Sequence, residues 1–310
     1  MGKTLFVIDT MPLLYRGHFV FLKNPRMTST GLNTSALHGF AATLAQILAE
    51  HKPTHAALVL DSLTPTFRHL EYPPYKAQRQ KMPEDIAAAI PMAVELAEAL
   101  RIPVLRVDGF EADDLMGSLA EAAAGEGFET FLVTPDKDIA QLVSGATRLY
   151  RPGKAGAEAE IYTAEEVCKH WDLTSPAQMV DYLGLAGDAS DNIPGISGVG
   201  EKTAQALLKQ FGSLDAVLDG AAQLKGKLAE KVAAGRGQAL LSRRLATIRR
   251  DVPLPVAIDA LARREPDTDA LRAVLAKYEL AQIGQRLLGG EAVGRPATAA
   301  LATVRDTPHR

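Results

Sequence analysis

The 310-residue chain carries one cysteine, Cys168, which excludes an intramolecular disulfide framework and a cysteine zinc site. A lone thiol also favours a reducing compartment, with the cytoplasm as the default. No uninterrupted apolar run approaches the ~18 residues a bilayer helix needs, which excludes a membrane-spanning protein. The N-terminus, MGKTLFVIDT, has neither a long apolar segment nor a small-residue cleavage site, so it reads as a first core strand and not as a signal peptide. Charge of one sign is also missing: 34 Lys and Arg stand against 37 Asp and Glu, a net −3. Taken naively, that balance argues against nucleic acid, which needs a cationic face, but it does not say where each sign sits. The 47% of hydrophobic residues is enough to bury a core, and the length predicts a main domain of roughly 150–200 residues plus a smaller one.

The first 150 residues alternate short apolar runs with helical patterns, as βα units do. Strands are predicted at Thr4–Ile8, Ala56–Leu60, Val104–Val107 and Thr130–Thr134, and helices over Ser35–His51 and Pro83–Arg101. Right-handed crossovers would make the strands largely parallel, with helices on both faces. Thr163–Trp171 reads as a short helix opened by a capping box, Thr163 with Glu166. From Ser175 the β signal vanishes, and helical patterns with Gly-containing turns run to about Arg250. Asp251–Val256 is extended by its prolines, 267–288 is helical, and 289–310 reads as a flexible tail.

The acids fall where strands end. Asp9 follows the first run, Asp61 the second, and Asp136 and Asp138 the fourth; Glu111, Asp113 and Asp114 open a helix after the third, and Asp188 and Asp191 lie in GDASDN. Each alone reads as a turn or cap residue. Strand C-termini in an open sheet converge on one crevice, however, and carboxylates ~4 Å apart repel by up to about 4 kcal/mol per pair at an effective dielectric of ~20 unless cations fill the cluster. Oxygen ligands without His or Cys select Mg²⁺ or Mn²⁺, and this many acids imply at least two ions and a phosphate-ester substrate. Pro53 forbids a helical pair of His51 and His55.

A second motif is NIPGISGVGEKTAQA at 192–206, where Gly195, Gly198 and Gly200 precede Glu201, Lys202 and Thr203 at a helix start. Such a turn lets backbone N–H groups approach a phosphate, although the same pattern also suits a plain helix-to-helix turn. It is neither a Walker loop nor a dinucleotide fingerprint, since the spacing is wrong and no strand precedes it. Between 201 and 250, ten basic residues face four acidic ones, a local +6. A third cluster, FRHLEYPPYKAQRQK at 67–81, interleaves Arg68, Lys76, Arg79 and Lys81 with Tyr72 and Tyr75, which suits stacking and phosphate pairing with single strands. Tyr15 and Arg16 form a weaker pair of the same kind.

At these residues the chain resembles the 5′ nuclease domain of bacterial DNA polymerase I, its stand-alone relatives and, more distantly, the flap endonucleases. The resemblance rests on VIDTMPLLYR at 7–16, THAALVLD at 54–61, FRHLEYPPYKAQR at 67–79, FEADDLMGSLA at 110–120, TPDKDIAQLV at 134–143 and GDASDNIPGISGVGEKTAQALL at 187–208. It implies an α/β fold, a mostly parallel twisted sheet with flanking helices (a PIN-like nuclease core) over 1–180, with 67–85 as a helical arch or clamp. A helix-hairpin-helix DNA-binding domain over 181–256, a helical segment at 257–288 and the tail at 289–310 would follow. All nine carboxylates match the family's metal-carrying positions. The likeness further implies that Lys76 and Arg79 act from the arch, that Arg16 helps hold the scissile phosphate, and that the hairpin grips duplex phosphates, often with a K⁺ on backbone carbonyls. The expected activity is a divalent-metal-dependent 5′→3′ exonuclease and flap endonuclease in DNA replication and repair. Its expected partners are 5′ ends, flaps or nicks, with a DNA polymerase in trans or in the parent chain, and a nucleoid-associated monomer is expected. Removal of RNA from RNA–DNA hybrids and a catalytically silent DNA-binding protein are the alternatives. Thr10 and Met11 depart from the Gly or Ser usual after the first Asp.

Overall fold

Leu5, Phe6, Val7 and Ile8 point alternately to the two faces of a strand and are buried on both, so the first strand lies at the centre of the molecule. The computed structural model describes residues 2–153 and 158–288; the tail at 289–310 lies outside them. Six strands form one sheet: β1 (Thr4–Asp9), β2 (His55–Val59), β3 (Val104–Leu105), β4 (Glu129–Val133), β5 (Thr147–Arg151) and β6 (Glu160–Tyr162). Their order is β3-β2-β1-β4-β5-β6, with every pair parallel except β5–β6. The chain reverses direction of progress between β1 and β4, and at such a switch point the C-terminal strand ends open a crevice.

Helices α1 (Thr10–Phe21), α2 (Ser35–Glu50), α3 (Phe67–Glu71), α4 (Glu84–Ala99), α5 (Ala112–Gly125) and α6 (Ala164–Trp171) belong to the sheet region. Helices α7 (Met179–Ala186), α8 (Glu201–Phe211), α9 (Leu214–Asp219), α10 (Lys227–Ala234) and α11 (Arg236–Ala246) form the following helical part, and α12 (Thr268–Lys277) and α13 (Ala281–Leu287) come last. One apolar layer takes Leu5, Val7, Ala57 and Leu149 from the sheet with α5 and runs without a break through α7 to α11. The other takes Phe6, Ile8, Leu58 and Tyr150 with α1, α2, α4, α12 and α13. Helices α1 and α2 meet at glycines, since a Cβ on Gly39 would overlap the Gly17 backbone.

The four expected strands are present, the third shortened to two residues. Helix α1 and strands β5 and β6 were not anticipated: α1 follows the strand without a turn signal, and TRLYR carries two charges that weaken its apolar pattern. The Thr163 capping box is formed, with Glu166 Oε2 accepting from Thr163 N at 2.6 Å. The expected helical arch over 67–85 is not a helix as a whole. After α3, Pro73, Pro74 and the left-handed Lys76 (φ 55°) interrupt it, and regular structure resumes only at Glu84. The last two helices dock on the core: Lys277 Nζ lies 2.8 Å from Glu95 Oε2 on α4.

Candidate functional site: an acidic cleft and a glycine hairpin

Asp9 ends β1 and is buried, with Oδ2 accepting from Thr134 Oγ1 at 3.1 Å. Asp61, two residues beyond β2, is exposed and caps the start of α5 by accepting from Ala112 N at 3.0 Å. Asp136 and Asp138 form a turn after β4, where Asp138 N donates to Asp136 Oδ1 at 2.9 Å. Glu111 is the N-cap residue of α5 and Asp113 lies in its first turn. Asp188 and Asp191 arrive from the loop after α7, closed by the Asp188–Ile193 bridge.

Eight of the nine predicted carboxylates share one cleft. Burial is the largest cause holding Asp9, Asp113, Asp136 and Asp138 above the usual carboxylate range. Negative neighbours add to it: Asp61 on Asp9, Asp136 on Asp113, and Asp136 and Asp188 on Asp138. Asp188 runs the other way. Burial opposes its ionisation, but hydrogen bonds from Lys137 and Ser190 prevail and lower it. Lys137 Nζ lies 2.7 Å from Asp188 Oδ2.

Cations of the chain sit among these acids. Lys76 Nζ is 2.9 Å from Glu111 Oε1 and 3.5 Å from Asp191 Oδ2, and Arg79 Nη2 is 2.6 Å from Asp191 Oδ1. With these side chains interposed, no three carboxylates among the described residues close on a single point as a metal cage. The donor set still suits a hard cation: it is oxygen only, and Asp138 Oδ1 is buried without a hydrogen-bond partner.

The ninth carboxylate does something else. Asp114 is fully buried and paired with Arg68, whose Nη1 and Nη2 lie 2.7 and 2.8 Å from its two oxygens. It also accepts from Glu111 N and Arg249 N, at 3.1 and 2.9 Å. With its lone pairs thus engaged behind the cleft, it is a structural anchor and not a metal ligand. Arg68 was the residue missed as part of the site's frame. It is 2% exposed and ties α3 to Asp114, to Glu111, and to the carbonyls of Leu245 and Thr247 at the end of α11. An arginine in a basic, tyrosine-rich run gave no sign of burial.

Three further expectations are corrected. Tyr75 does not present a stacking face: it is 3% exposed, and its hydroxyl lies 2.9 Å from Glu111 Oε2 and 3.0 Å from Asp191 Oδ2. Arg16 is paired with none of the nine acids and donates through Nη2 to the carbonyl of Gly153, in a cleft of about 590 Å³ between α1 and α2. Gly195 is buried and its N–H already donates to Ser242 Oγ at 2.9 Å, so it is not free for phosphate. Its φ of +60° and the overlap a Cβ would make with the Gly187 backbone explain why glycine stands there.

Gly198 and Gly200 are exposed, and nothing lies within 4 Å of a Cβ at Gly200, which is the N-cap residue of α8. Lys202 is exposed beside them and Thr203 half-buried, so this end of the hairpin can meet a phosphate. The local basic excess divides by residue type. Arg236, Arg243, Arg244 and Arg249 pair with Asp219, Asp215, Glu71 and Asp251. Lys202, Lys209, Lys225, Lys227 and Lys231 face solvent. Among the described residues no helix is long and apolar enough to cross a membrane.

A mostly parallel sheet with carboxylates gathered at its strand ends, joined to a helical glycine hairpin, defines the PIN-like nuclease class. The chain belongs to the 5′-3′ exonuclease family: the model of the family's N-terminal resolvase-like domain matches residues 4–172, and that of its C-terminal SAM fold matches residues 174–269. It is 41% identical over 277 residues to DNA polymerase I of Bacillus caldotenax, covering 88% of this chain and 31% of the relative. To DNA polymerase I of Bacillus subtilis it is 40% identical over 262 residues, 84% of this chain and 29% of the relative. The chain thus spans about a third of the length of these relatives. Among solved structures, the T5 5′-exonuclease with bound divalent metal ions (zinc) shares the fold at a TM-score of 0.68 and 18% identity, over 93% of this chain and 99% of that one. Human GEN1 in complex with Holliday junction DNA does so at 0.59 and 16%, over 93% and 71%.

Proposed function

We propose that this protein is a divalent-metal-dependent 5′→3′ exonuclease and structure-specific 5′ flap endonuclease that hydrolyses DNA phosphodiesters and leaves 5′-phosphates. The observation that carries the reading is the convergence of eight carboxylates from separate segments on one cleft, beside a hairpin whose outer end offers backbone and lysines to a phosphate. Asp9, Asp61, Glu111 and Asp113 would hold one Mg²⁺ or Mn²⁺, and Asp136, Asp138, Asp188 and Asp191 a second. Such ions supply the acidity a water nucleophile needs and the charge that stabilises a leaving oxygen. The chain's own part is to orient these acids through Arg68 and Asp114, to place Lys76 and Arg79 where they can bind non-bridging phosphate oxygens, and to hold duplex at Gly198, Gly200 and Lys202. A K⁺ at the hairpin would compete with Lys231, whose Nζ lies 3.3 Å from Gly198 O.

We place the protein in the cytoplasm as a monomer, with residues 181–256 as the duplex grip and a DNA polymerase as its partner, in the parent chain or in trans. A 5′-labelled flap with and without Mg²⁺, read for product lengths, tests the activity; the same strand made of RNA tests action on RNA–DNA hybrids. Asp138→Asn should slow cleavage by about 10²-fold or more while leaving flap binding nearly intact. Full activity in that variant sinks the assignment.

A further inference from the structure

The segment after α3 lies across the acidic cleft and is fastened to its far wall. Lys76 N donates to Asp191 O at 2.9 Å, Gln78 Nε2 to Ala189 O at 2.8 Å, and Asn192 Nδ2 to Pro74 O at 2.7 Å. Its side chains fasten it a second time, through the carboxylates themselves. Lys76 and the Tyr75 hydroxyl both bind Glu111, and Lys76, Arg79 and the Tyr75 hydroxyl all meet Asp191. The strap crosses the cleft with Lys76 in the left-handed region, φ 55°, a conformation that a non-glycine residue holds only under constraint from its surroundings. The carboxylates that hold the strap down are those expected to hold ions. An ammonium 2.9 Å from Glu111 Oε1 takes one of that oxygen's lone pairs and repels a divalent cation brought to the same carboxylate, so the two compete.

We propose that strap and divalent ions compete for Glu111 and Asp191, so that loading the cleft with ions releases residues 72–79 and frees Lys76 and Arg79 to meet a substrate phosphate. The proposal rests on the reading of the cleft as an ion site. It makes Lys76 and Arg79 internal counterions before loading and phosphate ligands after it. Linkage makes the coupling reciprocal: whatever ions do to loosen the strap, the fastened strap does to weaken ion binding. Ion loading would therefore arm the basic residues only when the cleft is ready for substrate.

The test uses the full chain with Ca²⁺ and no DNA. Hydrogen exchange at the Lys76 and Arg79 amides, both hydrogen-bonded in the fastened strap, should quicken several-fold at saturating Ca²⁺. In calorimetric titrations, Lys76→Met and, independently, Gln78→Ala should bind Ca²⁺ about 5- to 10-fold more tightly than the parent, the lower range of site-to-site coupling. Gln78→Ala unfastens the strap without touching a carboxylate, so it stands should Lys76→Met fold poorly. Bound Ca²⁺ with unchanged exchange at these amides, or a Gln78→Ala protein that binds Ca²⁺ no more tightly than the parent, overturns this proposal alone. A parent protein that binds no divalent ion overturns the ion-site reading together with it.

Discussion

Replacing Arg68 with Met removes the cation of a fully buried ion pair and keeps much of its volume. The guanidinium donates to both oxygens of Asp114 at 2.7 and 2.8 Å, and to the carbonyls of Leu245 and Thr247 at 2.7 and 2.9 Å. Leaving Asp114 buried without its partner costs about 3–5 kcal/mol. Two carbonyls that lose a charged donor add about 1–3 kcal/mol each, and protonation of Asp114 relieves part of the sum. The expected loss is about 5 kcal/mol, comparable to the whole stability of many domains. Urea unfolding with an unchanged m-value would measure it. Arg68→Met with Asp114→Leu should be more stable than Arg68→Met alone, because position 114 no longer holds an unpaired buried charge, though still below the parent, since Glu111 N and Arg249 N lose their acceptor and Glu111 loses Arg68. A loss under about 1 kcal/mol for Arg68→Met, or additive losses in the double variant, would refute the assignment of this pair as the frame of the site.

Tyr75→Phe should lower stability by about 1–3 kcal/mol in urea unfolding, because its hydroxyl serves buried carboxylates; an unchanged midpoint would restore the stacking role. Gly195→Ala should cost more than about 3 kcal/mol and disrupt the hairpin, whereas Gly198→Ala, whose Cβ meets only the mobile end of Lys231, should cost about 1 kcal/mol for its positive φ. Equal melting temperatures for these two variants would contradict the packing. In EDTA, Asp9, Asp113 and Asp138 hold protons in the folded state that the unfolded chain releases near pH 4, so stability should fall as pH rises from that value through their raised native range. The carboxyls held low, Glu95, Glu166, Asp188, Asp215, Asp251 and Glu279, deliver their contribution fully above the ordinary carboxylate range, whereas His38 and His55, held low mainly by burial, oppose the fall until the ordinary imidazole range is passed, so the slope is read against the same scan of Asp138→Asn. Melting temperatures in EDTA that stay flat or rise between pH 5 and about pH 8 would count against a strained acid cluster.

The sequence by itself determined the parallel sheet, the acids at its strand ends and the Thr163 cap. Alternating burial and capping are local relations, written in the spacing of neighbouring residues. It also carried the family through six motifs. Only the tertiary structure separated Asp114 from Asp113 beside it: adjacent residues on α5 point to different sides, one to Arg68 and one to the cleft. The same holds for Tyr75, whose hydroxyl is taken up by Glu111 and Asp191, and for the arginines of the helical part, paired with acids from Glu71 to Asp251. The partner of a long polar side chain is set by which distant segment the fold brings within ~3 Å, and composition along the chain holds no record of that distance.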